Sequence, residues 1–265
     1  MALDLELALT VCDLADRLTL SAFRRPSLAV ETKADLSPVT EADRAAELAI
    51  RQLIGRERPA DAVLGEEMGS TGHGERRWVV DPIDGTVQFV HGIPVWATLL
   101  ALEVEGVIEV GVVSAPALGR RWWARRGQGA YAGAPGEAGE RISVSRVANL
   151  AEASISCGCI RDFPFPARLV ELASKVKHDR GFGDFWQHML VAEGACDAAL
   201  DPIDSLWDIA ALQVIVEEAG GKFTDFSGEH RLDGGNAVSS NGLVHDQVIA
   251  ALSGAGPEPE LTGPS

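Results

Sequence analysis

Basic residues are scarce in this chain: 23 lysines and arginines stand against 39 acidic residues, for a formal net charge of −16. A body so acidic repels phosphate polymers and anionic lipid surfaces, which excludes a nucleic-acid polymer or a membrane as the expected partner. A small anion can still bind where a metal ion inverts the local field. Cysteine is sparse too. Cys12, Cys157, Cys159 and Cys196 form no Cys-x-x-Cys pair, and Cys157-Gly158-Cys159 is too tight for a zinc knuckle. They are expected to be buried free thiols in a reducing compartment. No apolar run reaches the length of a membrane span, and Asp4 and Glu6 sit among the first leucines where a signal peptide would be basic. The expected location is therefore cytoplasmic. A strand-to-helix Gly-x-Gly-x-x-Gly is also missing, so the glycines read as turns and not as a nucleotide cradle.

What the chain does have is core. At 265 residues and 46% hydrophobic content it can build one large domain or two closely packed halves. Leu3, Leu7, Val11, Leu14, Leu18 and Ala22 recur at helical spacing and predict an amphipathic helix over 3–24. A second helix is expected from Glu41 to about Ile54. Thr40 is its N-cap, and Asp43 reads either as a capping-box partner or as a carboxylate that orients a water or hydroxyl. Short β-rich runs from Ala97 to Ala124, broken by turns, predict an antiparallel meander. Within it, Trp122 and Trp123 cover a sheet face or an interface. From Ser154 onward helices and strands alternate, with helices expected over Pro166–His178, Phe185–Glu193, Leu206–Ala219 and Val244–Leu252. The last stretch, 254–265, is rich in Pro, Gly and Glu and is expected to be a disordered tail.

The richest stretch is Trp78-Val79-Val80-Asp81-Pro82-Ile83-Asp84-Gly85-Thr86. Three apolar residues run as a buried strand into two carboxylates three positions apart, and a Gly-Thr pair follows where the backbone must turn. Asp81, Asp84 and the Ile83 carbonyl can converge on one point beyond the strand end, and hard oxygens so arranged suit Mg²⁺. If Gly85 and Thr86 open a helix, their N–H groups point the same way and can hold a phosphate. Upstream, the run Ala62 to Gly65 ends in Glu66-Glu67. Adjacent carboxylates are usually just solvated, but two strands ending in acids would gather them at one sheet edge, and without Arg or Lys partners they need a cation. Further on, Asp201 and Asp204 are expected to end another strand. Asp208, at the opening of a helix, reads either as a cap or as the carboxylate that completes two metal spheres. Asp184 reads either as a loop cap or as a substrate contact.

Taken in order, Val39-Thr40-Glu41-Ala42-Asp43, Gly65-Glu66-Glu67, Asp81-Pro82-Ile83-Asp84-Gly85-Thr86, Trp207-Asp208 and Glu218-Ala219-Gly220-Gly221 resemble the inositol monophosphatase family of metal-dependent, lithium-sensitive phosphatases. The resemblance spans roughly residues 5–252. It implies an α/β (α+β layered) fold, an αβαβα sandwich of alternating helix and sheet layers. An N-terminal half, 1–150, would carry the metal and phosphate site, and a C-terminal half, 151–253, would contribute Asp208 and substrate contacts. By resemblance, Glu66, Asp81 and the Ile83 carbonyl hold one Mg²⁺, and Asp81, Asp84 and Asp208 a second, with two or three ions per site. Gly85 and Thr86 bind the phosphate; Thr86 with Asp43, together with Glu66, orients the attacking water. The family also implies a homodimer, with the aromatic meander around Trp122 as a candidate interface.

Within that family, Ile93 to Thr98, Ala115 to Ala124 and Phe182-Gly183-Asp184-Phe185-Trp186 look most like the actinobacterial histidinol-phosphate phosphatases. That resemblance implies hydrolysis of L-histidinol phosphate in histidine biosynthesis, with Asp84, Asp184 and Asp201 contacting the substrate. Two segments depart from the pattern: Val87-Gln88, and Cys157 to Phe163. Both are expected where the substrate body is read, which leaves an inositol, sugar or nucleoside 5'-monophosphate as the alternative. A catalytically silent regulatory homologue is the third reading, and the full carboxylate set argues against it.

Overall fold

A computed structural model describes residues 2–33, 37–202 and 205–253. Helix α1 (Ala2–Ala22) leads through the small hairpin β1 (Val30–Thr32) and β2 (Pro38–Thr40) into α2 (Glu41–Glu57). Strands β3 (Ala62–Gly65), β4 (Gly69–Thr71) and β5 (Arg76–Asp84) follow, then the one-turn α3 (Thr86–Val90). The meander is β6 (Ala97–Val104), β7 (Val107–Ala115), β8 (Arg120–Arg125), β9 (Ala130–Gly133) and β10 (Glu140–Ile142). The rest of the chain runs β11 (Ser154–Cys157), α4 (Pro166–Lys175), β12 (His178–Arg180), α5 (Asp184–Ala192), β13 (Ala198–Asp201), α6 (Leu206–Glu218), β14 (Lys222–Thr224), β15 (Ala237–Ser240) and α7 (His245–Ser253).

The strands make two large sheets. One has eight strands in the order β10-β9-β8-β7-β6-β5-β3-β4 and is antiparallel except for the β3–β5 pair; the other has five, in the order β12-β11-β13-β15-β14. Side-chain alternation along each strand sorts residues to opposite faces. In the larger sheet Trp78, Val80, Leu100, Leu102 and Trp123 pack with Leu7, Val11, Ile50 and Ile54 of α1 and α2. Val79, Leu99, Val113 and Trp122 point the other way, into one core with α5, α6 and the inner face of the smaller sheet. That second sheet buries its outer face under Leu169 and Leu172 of α4 and Val248 and Leu252 of α7. The layers therefore run helix, sheet, helix, sheet, helix, as expected.

Helix α6 is the middle of this stack, and its composition says why. Every residue from Ile209 to Val216 is buried, and a helix apolar all round must be covered on all sides. Close approach to the larger sheet needs Gly111 of β7, where a Cβ would come 2.5 Å from Val214 Cγ1 and 2.7 Å from the Ala211 carbonyl oxygen.

Three local details go beyond the sequence reading. The fourth helix stops at Lys175 rather than His178, because His178 to Arg180 pair in parallel with Ser154 to Ser156. The loop after Glu67 contains β4, which pairs back on β3. The indole of Trp122 is 1% exposed and packs against Phe185 inside the same chain, so of its two readings the sheet face holds. Asp204 and the 254–265 tail lie outside the described residues. Among the described residues no helix is long and apolar enough to cross a membrane. All four cysteines are free; Cys12 and Cys196 are buried, whereas Cys157 is half-buried and Cys159 exposed, so burial holds for only two of them.

Candidate active site

The β5 terminus solves a parity problem. In a regular strand, residues three apart point to opposite faces. Here the β5–β6 register pairs Asp81 with Leu99 and Asp84 with Ala97, so Pro82 and Ile83 together oppose Thr98 alone. This bulge turns Asp81 and Asp84 to the same side. Thr98, buried, donates to the Pro82 carbonyl at 2.8 Å and satisfies the acceptor that the irregularity frees from the ladder.

Asp81, Asp84 and Asp208 are brought together: one carboxylate oxygen from each lies within 4.8 Å of the others. Oxygens on opposite sides of one Mg²⁺ sit about 4.2 Å apart, so small adjustments close the set on an ion. Each carboxylate is also held by a backbone amide. Ile83 N–H donates to Asp81 Oδ1 at 2.9 Å, Phe185 N–H to Asp84 Oδ2 at 2.9 Å, and Ser205 N–H to Asp208 Oδ2 at 2.6 Å. The last bond is half of a capping box on α6, so Asp208 is at once a cap and a member of the cluster. Asp43 is likewise double. Its Oδ2 accepts from Thr40 N–H at 2.8 Å and Thr40 Oγ1 at 2.5 Å, closing the α2 capping box, while Oδ1 lies 3.4 Å from Thr86 Oγ1. The Thr86 hydroxyl has one proton, and the Ile83 carbonyl at 2.9 Å is its nearer acceptor.

Burial and mutual repulsion dominate the electrostatics. Burial first, then the charges of Glu66, Asp84 and Asp208, push the Asp81 pKa well above the usual carboxylate range, and a hydrogen bond joins Asp81 to Glu66. Asp84 is raised in the same way by burial, then by Asp184 and Asp208, against the opposing Phe185 amide. Burial raises Asp208 to about 7 and Asp184 to about 6. Acids stacked this way hold their protons to higher pH, and a cation can take the place of those protons. Contrary to expectation, one basic group does reach the cluster: Lys33 Nζ lies 2.6 Å from Glu66 Oε1 and 2.5 Å from Glu67 Oε1. A single ammonium on the Glu66 side leaves the three aspartates unneutralised.

The backbone of Glu67 and Met68 is anchored by a residue that the sequence reading passed over. Buried Glu47 of α2 accepts from Glu67 N–H at 2.8 Å and Met68 N–H at 3.2 Å, and pairs with Arg51 at 2.7 Å. It fits beneath Gly65 because that position has no side chain: a Cβ there would meet Glu47 Oε1 at 2.1 Å. The signal was present in the spacing, since Asp43, Ala46, Glu47, Ile50 and Ile54 form the buried stripe of α2.

Gly85 caps α3 with φ +80°, a left-handed conformation, and a Cβ there would press on the Val95 carbonyl oxygen at 3.0 Å. The helix does open at Thr86 but is only five residues long, so what it offers an anion is local N–H groups. Across the cleft, Asp184 begins α5 with φ +48°, unusual for a residue with a side chain. Gln88 donates an amide hydrogen to Asp184 Oδ2, and Gln187 donates to Asp201 Oδ2 at 3.0 Å. A cavity of about 470 Å³ opens there, lined by Gln88, Cys157, Cys159, Asp162, Asp184 and Asp201 among others. Both segments that depart from the family pattern thus meet in one cavity. A larger cavity of about 600 Å³, bounded by Arg77, Arg126, Trp207 and His230, contains none of the cluster carboxylates, and the chemistry favours the smaller one.

The inositol monophosphatase family model matches residues 5–256. The chain belongs to that family. It is 52% identical over 254 residues to a histidinol-phosphatase of Mycobacterium tuberculosis, covering 94% of this chain and 98% of that one. A histidinol-phosphatase of Streptomyces coelicolor is 48% identical over 257 residues, with 94% and 97% covered. Among solved structures, the Thermotoga maritima IMPase superposes with a TM-score of 0.86 at 35% identity, covering 94% of this chain and 96% of that one. The layered fold read from the core clusters is the fold of these relatives.

Proposed function

We propose that this protein is a Mg²⁺-dependent phosphomonoesterase that hydrolyses L-histidinol phosphate to L-histidinol and inorganic phosphate. One observation carries the reading: three aspartates, each held by a backbone amide, converge so that one carboxylate oxygen of each lies within 4.8 Å of the others. Donors that are all hard oxygens fit Mg²⁺. Glu66, Asp81 and the Ile83 carbonyl would hold one ion, and Asp81, Asp84 and Asp208 another, with two or three per site in all. Bound there, Mg²⁺ lowers the pKa of water and stabilises a leaving alkoxide. In this reading Gly85 and Thr86 N–H groups hold the phosphate, and Thr86 with Asp43, and Glu66, orient the attacking water. Water adds to phosphorus as the ester oxygen leaves in line, with no covalent enzyme intermediate. Residues 1–150 supply the metal and phosphate site, and 151–253 supply Asp208 and the substrate wall. The reading includes a homodimer and a cytoplasmic place in histidine biosynthesis.

Substrate choice is supported by the 52% and 48% identical histidinol-phosphatases and by the lining of the 470 Å³ cavity, where Asp162, Asp184 and Asp201 meet. An acidic wall suits the ammonium and imidazole of histidinol better than a purely hydroxylated body. A second reading, another small monoester such as a nucleoside 5'-monophosphate, is favoured by the position of Gln88, Cys157 and Cys159 on the same wall. Phosphate release with Mg²⁺ from histidinol phosphate, inositol 1-phosphate, sugar phosphates and nucleoside 5'-monophosphates separates them. The expected result is the highest kcat/KM for histidinol phosphate, abolished in Asp84→Asn. Preference for another ester overturns the substrate; equal release by wild type and Asp84→Asn overturns the metal assignment.

A further inference from the structure

His188 has no part in that mechanism, yet it stands beside the carboxylates. It lies on α5 four residues after Asp184 and so on the same helix face. Its ring is 1% exposed and packs on Phe223 with centroids 5.7 Å apart. Nδ1 is 2.8 Å from Ser239 Oγ of β15. Nε2 is buried and has no partner. Orphaned polar atoms are rare inside proteins and ask for an explanation.

The ring lines a cavity of about 190 Å³ whose other walls include Asp84, Asp184, Asp201, Asp208 and Leu212. At about 30 Å³ per water, that space holds roughly six. No lysine or arginine lines it. Burial pulls the His188 pKa down to about 3, so the ring is neutral at working pH. Its free nitrogen is then either an N–H or a lone pair, depending on which way the Ser239 hydroxyl turns. An N–H suits a cavity of bare carboxylates. A lone pair suits a cavity that contains a cation, because the water around a divalent ion points its hydrogens outward and needs acceptors. Gln88 and Gln187 already donate to Asp184 and Asp201, which leaves His188 Nε2 as a wholly unused acceptor position.

We propose that His188 accepts a hydrogen bond from the hydration shell of the divalent cation held at Asp84 and Asp208, with its Nδ1–H donating to Ser239 Oγ. The proposal rests on the metal reading above. His188 is a positioning residue that acts through water, and partners of this kind set metal affinity by about 10- to 100-fold.

The test uses the full chain with ¹⁵N-labelled histidine and Mg²⁺. In wild type, saturating Mg²⁺ moves the His188 Nε2 resonance and leaves Nδ1 nearly still. By calorimetry, His188→Met binds Mg²⁺ about tenfold more weakly, and His188→Gln, which keeps an acceptor, recovers most of the loss. An unmoved Nε2 resonance at saturating Mg²⁺ overturns the proposal, even if neither variant folds. So does a folded His188→Met with wild-type affinity, or an equal loss in both variants, which marks a packing role. A wild type that takes up no Mg²⁺ sinks the metal reading itself, and the His188 role falls with it.

Discussion

Two neighbouring sets of carboxylates, which meet around one cavity, are held by different means. Asp81, Asp84 and Asp208 are gripped by main-chain amides of Ile83, Phe185 and Ser205. Asp184 and Asp201 are gripped by the side-chain amides of Gln88 and Gln187. A main-chain donor is present whatever the residue type, so the first set persists as long as the fold does. A glutamine can be exchanged by a single substitution. The wall of Asp81, Asp84 and Asp208, the proposed metal wall, is thus locked to the architecture, and the wall of Asp184 and Asp201, the proposed substrate wall, is left adjustable.

The strongest way to break the contrast is to neutralise the locked set. Asp208→Asn should lower kcat by about 10²–10³-fold or more, the scale of losing one fixed electrostatic group. In EDTA the same variant should melt above wild type, since a repelling buried acid has gone; a lower Tm would show that the cluster is not repulsive without metal.

The pH dependence of the metal-free protein sharpens the point. Asp208 near 7 and Asp184 near 6 lie above the unfolded value of about 3.9, and Asp81 and Asp84 are raised as well. The native state therefore binds more protons than the unfolded one between about pH 4 and 7, and stability falls as pH rises through that window. His188, lowered to about 3, and His245, lowered to about 4, act in the opposite sense. Their contribution is complete above about pH 6.5 and is lost as pH falls toward their folded values. With the raised acids of the cluster joined by Asp16, Asp43 and Glu67 and outweighing the two lowered histidines, the Tm in EDTA should drop by several degrees from pH 5.5 to 8, and Mg²⁺ should lessen the drop. A flat profile in EDTA would contradict the raised acids.

The smallest effect belongs to the adjustable wall. Gln88→Leu frees Asp184 from its amide and should raise KM about three- to tenfold, the net worth of one ordinary hydrogen bond, with Mg²⁺ affinity unchanged. If Mg²⁺ affinity fell instead, the two walls would not be separable.

The carboxylate cluster was more legible in sequence than the contacts around it. Asp81-Pro82-Ile83-Asp84 and the capping positions of Asp43 and Asp208 are local patterns, and each maps onto a physical requirement. What escaped was long-range or weakly patterned. Lys33 meets Glu66 across 33 residues and Gln88 meets Asp184 across 96, distances over which no periodicity speaks. Strand β12 consists of three exposed polar residues at a sheet edge, without the alternation that marks a half-buried strand. Val87-Gln88 and the Cys157 to Phe163 segment could be flagged as unusual, but only the fold shows that they share one cavity.

The glycine before Glu66-Glu67 illustrates how a motif letter can belong to a residue elsewhere. Gly65 does not have a positive φ, so flexibility does not explain it. It is a keyhole for the Glu47 carboxylate, which would collide with any β-carbon there at 2.1 Å. Positions 47 and 65 are therefore one unit of information written in two places. In sequences of this architecture they should change together: where 65 acquires a side chain, 47 should shorten or lose its acid, and the two glutamates downstream should lose their anchor with it.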